Sequence, residues 1–198
     1  QYLEAPTDYN RRVLIAALAE IAGRTSGRRW DAPDREHAVG RFPIIVFADH
    51  LRSPYNIGAI VRTAEALGAS GLVVTPDAPD LSHPRLKRTA MGCEGWLPIR
   101  RGSLSDAVDW IGGIPVLLET GGTSLNETQF PKRGVLIVGN EELGVSPVTR
   151  DGTEGSGGLI VSIPMWGRKQ SLNVSVATGI ALAAWTAQLD VPVGRPPS

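Results

Sequence analysis

Only one cysteine, Cys93, occurs in the 198 residues, so an internal disulfide is excluded. One thiol and three histidines, His37, His50 and His83, set far apart, offer no Cys/His zinc spacing, so no metal site is expected. The same scarcity of cysteine reads as a cytoplasmic protein. No apolar run approaches the ~20 residues that a membrane helix requires. There is no signal-like apolar stretch, and the start at Gln1 rather than Met reads as a trimmed or processed N-terminus, with nothing that marks the chain for export. Neither charge is in surplus, with 20 Lys and Arg against 20 Asp and Glu. Contact with a nucleic acid therefore has to come from a local basic patch.

Two nucleotide fingerprints are missing as well. The first strand runs into Ala48-Asp49-His50-Leu51-Arg52-Ser53-Pro54 rather than a glycine-rich turn, which argues against nicotinamide chemistry. Pro54 disfavours a phosphate-cradling helix start at that point. A Gly-Lys-Ser/Thr loop for nucleotide hydrolysis is also absent.

What the chain does have is apolar content. At 42% hydrophobic residues it can build the core of one compact domain with an appendage. Residues 8–22 place Val13, Leu14, Ala17, Leu18 and Ile21 on one helical face, and the Arg-, Gly-, Asp- and Pro-rich stretch to Gly40 reads as a loop, so 1–40 form an N-terminal extension. The domain proper is predicted over 41–190. Apolar strands at 44–48, 71–75, 95–99, 114–118, 134–138 and 159–163 are interleaved with helices at 57–67, 83–91, 103–111 and 172–188. Such alternation predicts an α/β fold with a mostly parallel sheet flanked by helices. Pattern alone draws it doubly wound. Residues 191–198, with Pro192, Pro196 and Pro197, read as a disordered tail.

Three strand-to-loop junctions hold polar and glycine residues with no obvious packing role. They are Asn56-Ile57-Gly58-Ala59-Ile60-Val61-Arg62-Thr63-Ala64, then Ile137-Val138-Gly139-Asn140-Glu141-Glu142-Leu143-Gly144, then Ile163-Pro164-Met165-Trp166-Gly167-Arg168-Lys169-Gln170-Ser171-Leu172-Asn173. In this order they closely resemble the three motifs of the SpoU (TrmH-like) RNA 2'-O-ribose methyltransferases of the SPOUT superfamily, from about Ile44 to Ala187. The resemblance implies a C-terminal trefoil knot in place of a plain doubly wound sheet, S-adenosyl-L-methionine as cofactor, tRNA or rRNA as substrate, and a homodimer.

It also implies residue roles. Thr120, Gly121, Gly139, Ile163, Met165 and Leu172 would contact the cofactor, and Arg62, Asn56, Glu141, Ser171 and Asn173 would form the catalytic set. A ribose 2'-hydroxyl is a poor nucleophile until its proton leaves, so the site has to stabilise a developing alkoxide. Arginine is a reluctant base, and the fork of Arg62 suits an electrostatic clamp on the 2'-oxygen and the adjacent phosphate. Asn56 and Glu141 would orient Arg62 or the ribose. Read without the resemblance, Ile163 and Leu172 are core, Asn56 a helix cap, Glu141 an anion at a helix N-terminus, and Arg62 a solvated or Glu65-paired side chain on a flank shared with Gly58 and Glu65. Gly179, inside the last helix, reads as close helix packing.

For RNA contact the sequence offers Arg85, Lys87 and Arg88 beside Arg100 and Arg101, and a second group of Arg24, Arg28 and Arg29 with Trp30 for stacking. The last helix, Trp185 included, supplies an apolar stripe for a second subunit. Two rivals remain at this point. A SPOUT base methyltransferase is disfavoured by Ser171-Leu172-Asn173 together with Arg62, and a catalytically silent cofactor- or RNA-binding module would be expected to carry a broken motif.

Overall fold

The computed structural model describes residues 40–189. The predicted helix at 8–22, the loop before Gly40, the group Arg24, Arg28, Arg29 and Trp30, and the tail 191–198 lie outside the described residues.

Six strands form one sheet: β1 (Phe42–Ala48), β2 (Ala69–Val74), β3 (Ile99–Arg101), β4 (Ile114–Ser124), β5 (Gly134–Val138) and β6 (Leu159–Ser162). Every pairing is parallel, and the spatial order is β3-β2-β1-β5-β4-β6. Five helices connect or follow them: α1 (Pro54–Ala66), α2 (Pro84–Ala90), α3 (Leu104–Ile111), α4 (Pro147–Gly155) and α5 (Val174–Gln188). None of them is long and apolar enough to cross a membrane.

The two-residue period of a strand divides the core. Ile44, Val46 and Ala48 of β1 pack under α1, α2 and α5, whereas Ile45 and Phe47 face α3. Because both faces of the central strands are covered, residues 44–48 and 135–138 are buried without alternation.

The α/β reading of the sequence therefore holds, with local corrections. The helix expected from Ile57 begins at Pro54, whose missing N–H costs nothing in the first turn, and the Ser53 side chain accepts from the Asn56 amide as the cap. The strand expected at 95–99 is a single 3-10 turn at Cys93–Gly95 followed by the short edge strand β3, because Pro98 can only accept, from Leu72 N–H. Helix α4 was not expected at all. In the second half of the sheet β5 is inserted between β1 and β4, so the strands do not wind outward in sequence order as the pattern suggested.

Trp185 is fully buried, stacked on Phe130 at 5.2 Å and donating to the Pro131 carbonyl. It belongs to the core and not to an outer stripe. The outward face of α5 carries Val176 and Ile180, continued by Leu172 in the preceding loop, at 52%, 40% and 42% exposure.

Candidate active site

The loops after β1, β5 and β6 meet at the C-terminal edge of the sheet, where parallel α/β folds present their sites. Asn56, buried in the first turns of α1, donates through Nδ2 to Glu141 Oε1 at 2.8 Å and accepts through Oδ1 from Asn173 Nδ2 at 3.1 Å. Residues 85 and 117 positions away are thus tied to one amide. Asn173 is at the same time the N-cap of α5, its Oδ1 accepting from Ser175 N–H at 2.9 Å. Asn56 is not the cap of α1, and Glu141 precedes no helix start, since α4 begins only at Pro147.

Glu141 is held by its loop. The Asn140 and Gly144 backbones exchange hydrogen bonds of 2.8 and 3.0 Å, closing a tight turn. The Asn140 side chain accepts from Glu142 and Leu143 N–H and donates to the His50 carbonyl at 2.7 Å. A Cβ on Gly139 would sit 2.4 Å from the Gly144 carbonyl carbon, so only glycine fits beneath this turn.

Arg62 stands elsewhere. Six residues after Asn56 on a helix is about 240° of rotation, and the side chain lies on the α2 flank of α1 with its guanidinium against the Met91 thioether. The same flank carries Gly58, where a Cβ would be 2.4 Å from the Leu86 carbonyl oxygen, and Glu65, in contact with the Cys93 thiol. Asn56 and Glu141 do not orient Arg62 in this structure; their hydrogen bonds join them to Asn173. Arg62 instead lines an open cleft of about 500 Å³ with Tyr55, Arg85, Arg88, Thr89 and Met91.

The residues expected at the cofactor come from the ends of three adjacent strands, β5, β4 and β6. In β4, Leu118 and Thr123 both align with Val161 of β6, so residues 119–122 leave the ladder as a bulge. Thr120 and Gly121 lie at its exposed tip, Gly121 with φ +82° and nothing within 4 Å of where its Cβ would be. Ile163 and Met165, half-buried, follow β6, and Leu172 is exposed. Ser171 is exposed and joins no hydrogen bond of the network among the described residues.

Comparison with known proteins decides the family. The sequence profile of the SpoU rRNA Methylase family matches residues 43–183. The chain belongs to this family. Among SpoU relatives, a 23S rRNA (uridine(2479)-2'-O)-methyltransferase of Streptomyces viridochromogenes is 36% identical over 77% of the chain and 54% of its own length. A 23S rRNA (guanosine-2'-O-)-methyltransferase of Salmonella typhi is 32% identical over 92% of the chain and 74% of its own length. The chain thus spans about half the length of the first of these relatives. The crystal structure of the SpoU methyltransferase AviRb from Streptomyces viridochromogenes in complex with AdoMet superposes with a TM-score of 0.66 at 32% identity, covering 80% of the chain and 62% of that protein.

In this SpoU chain the sequence reading overlooked what holds the first loop. His50, left-handed at φ +53°, donates from Nδ1 to Asp77 Oδ2 at 2.7 Å. That hydrogen bond raises the His50 pKa above its usual 6.5, while burial opposes it and Asp49 assists. Asp77 is correspondingly lowered, first by His50 and then by Thr75. Asp49, almost fully buried, accepts from Ser146 N–H at 2.6 Å and so ties the β1 end to the start of α4. A dipeptide Asp49-His50 after a strand carries no signal of this, because both partners come from loops distant in sequence.

The basic cluster expected at 85–88 and 100–101 is divided in two. Arg101 donates to the carbonyls of Thr75, Pro76, Ala78 and Pro79, and Arg100 lies 3.7 Å over the Trp110 ring. Both line a separate cleft with Asp106 and Asp109, away from Arg85 and Arg88.

Proposed function

We propose that the chain transfers a methyl group from S-adenosyl-L-methionine to a ribose 2'-hydroxyl of rRNA or tRNA, in the cytoplasm and as a homodimer. The observation that carries this reading is the hydrogen-bonded chain Glu141–Asn56–Asn173, which gathers one residue of each motif at a single point.

The residues present fit the cofactor. A bulge at 119–122 with an open left-handed Gly121, a side-chain-free turn at Gly139 and the half-buried run Ile163–Met165 offer backbone polar groups and apolar walls suited to an adenosine. Thr120, Gly121, Gly139, Ile163, Met165 and Leu172 would hold it, and it supplies an electrophilic methyl group. The acceptor falls to Arg62, whose fork meets the 2'-oxygen and neighbouring phosphate from the cleft side. Asn56, Glu141, Asn173 and Ser171 fix the ribose and the loop between the two sites.

A trefoil knot in the C-terminal part is supported by the insertion of β5 inside β4 and by the packing of α5 on the β4–β5 connection through Trp185, Phe130 and Pro131. A homodimer is supported by the exposed row Leu172, Val176 and Ile180, larger in apolar area than a lone surface residue. The domain division proposed is an extension over 1–40, the methyltransferase domain over 41–190 and a tail over 191–198.

The test is incubation of the full chain with methyl-labelled S-adenosylmethionine and unmodified rRNA or tRNA, with the product mapped for 2'-O-methylation. Calorimetry should show binding of S-adenosylmethionine and none of NAD. Label on a base, or no transfer to any RNA, overturns the reading.

A further inference from the structure

The cleft beside Arg62 carries more than a clamp on one ribose needs. Arg62, Arg85 and Arg88 line it with no acidic side chain among the lining residues, and none of the three pairs with a carboxylate among the described residues. Arg85 and Arg88 are one turn apart on α2, whose inward residues are Leu86 and Ala90. Like charges so placed repel one another, and an anion between them relieves the repulsion. Arg101, by contrast, is fully engaged with carbonyls, and Arg100 faces two aspartates across the other cleft.

The same cleft has apolar walls. Tyr55 is 60% exposed and Met91 63%. Met91 adopts φ +52° and precedes Gly92 at φ +92°, a turn that puts the thioether outside, over Arg62. Aromatic and thioether faces beside unpaired arginines suit a strand whose bases are unstacked, since a duplex hides its base faces and offers only phosphate.

We infer that this cleft seats an unpaired RNA strand next to the modified nucleotide, with its phosphates on Arg85 and Arg88 and one base against Tyr55 and Met91. The inference rests on the RNA reading proposed above and adds the strand state and the docking residues.

Its test uses the full chain, a fluorescein-labelled single-stranded RNA oligonucleotide of mixed sequence, the duplex of that strand with its complement, and anisotropy over a salt series. The single strand should bind more tightly than the duplex. Arg85→Ala/Arg88→Ala should weaken single-strand binding about tenfold or more and lower the slope of log K against log salt by about 1 to 2. Arg85→Gln/Arg88→Gln, which keeps side-chain length, should behave alike. Tyr55→Ala should weaken binding about 5- to 100-fold with the slope unchanged. Arg133→Ala, at the opposite edge of the sheet, should match the parent, and all variants should keep the parent melting curve and S-adenosylmethionine affinity.

Equal affinity for duplex and single strand, an unchanged slope in both double variants, or no RNA binding by the parent chain overturns the inference. Binding that depends on Arg85, Arg88 and Tyr55 in a chain that methylates no RNA sinks the activity and leaves this inference standing. Methylation with an unaltered KM in the double variants does the reverse.

Discussion

Asn56 and Arg62 share a helix and face different neighbours. The amide of Asn56 is committed at both ends, to Glu141 and Asn173, whereas the guanidinium of Arg62 touches the Met91 thioether and lines the cleft on the α2 side. Arg62→Ala should therefore lose about 2 to 4 kcal/mol of transition-state stabilisation while S-adenosylmethionine affinity is unchanged. Arg62→Lys should rescue poorly, because a point charge cannot reproduce the fork. Single-turnover rates alongside calorimetric titration check this. The division was partly legible. Helical spacing alone puts Arg62 on the flank of Gly58 and Glu65, and the motif match picks out Asn56, Glu141 and Asn173. That Asn56 bonds the other two, and not Arg62, depends on where β5 and β6 end, which no local pattern encodes.

His50 and Asp77 carry a pH dependence. The folded pKa of His50 lies above its ordinary 6.5, so its contribution is complete below 6.5 and is lost as pH rises through the raised value. Asp77 is depressed below its ordinary 3.8, so its contribution is present above 3.8 and lost as pH falls through the lowered value. The pair is strongest between the two folded values. His50→Asn keeps the left-handed backbone that asparagine tolerates. The melting-temperature gap between parent and this variant should shrink as pH is raised above 6.5, as followed by circular dichroism, and both side chains are about half-exposed, so the gap is small.

Among the elements, α1 is gripped on two sides by glycine contacts of different kinds. Gly58 faces a backbone carbonyl of α2 at 2.4 Å from its would-be Cβ, and Gly179 of α5 faces only the Thr63 methyl at 3.2 Å. Alanine gains about 1 kcal/mol of helix propensity at either site. A carbonyl in a helix cannot step aside, and overpacking costs about 1 to 3 kcal/mol. Gly58→Ala, against a backbone carbonyl and so at the upper end of that cost, should therefore destabilise by up to about 2 kcal/mol, and Gly179→Ala should stay within about 0.5 kcal/mol of the parent, both measured by urea unfolding. Gly179 was legible as a packing glycine from its place in an apolar helix. Helix α4 was not, because Pro147–Gly155 contains two glycines and one exposed valine and shows no apolar period to read. The β4 extension was hidden for the opposite reason: the apolar run predicted as a strand ends at Leu118 and Gly121 and Gly122 follow, yet the strand resumes at Thr123 beside β6.

At the scale of the whole molecule, a chain with balanced charge sets Arg62, Arg85 and Arg88 around one cleft and Leu172, Val176 and Ile180 in one exposed row. The sequence puts 172, 176, 180 and 184 on one stripe; the first three are exposed, Ala184 is half-buried against the core, and the outward direction follows from α5 already burying Thr178, Ala181, Leu182 and Trp185. Val176→Asp/Ile180→Asp should convert a dimer to monomer in sedimentation at micromolar concentration without lowering the melting temperature of the monomeric domain. A parent chain that sediments only as monomer removes the dimer from the proposal.

The strand order also dictates what happens while the protein is being made. β1 pairs with β2 soon after both have emerged, but its other edge waits for β5, whose Gly134 aligns with Ile44 ninety positions earlier. At ordinary ribosomal speeds that interval is roughly 5 to 20 s. Throughout it the fully apolar Ile44–Ala48 presents an unpaired edge, the kind of surface that recruits foreign strands. A translational pause between Val74 and Gly134 would prolong that exposure, so slow codons in this window should lower the yield of soluble nascent chain, and slow codons after Val138 should not.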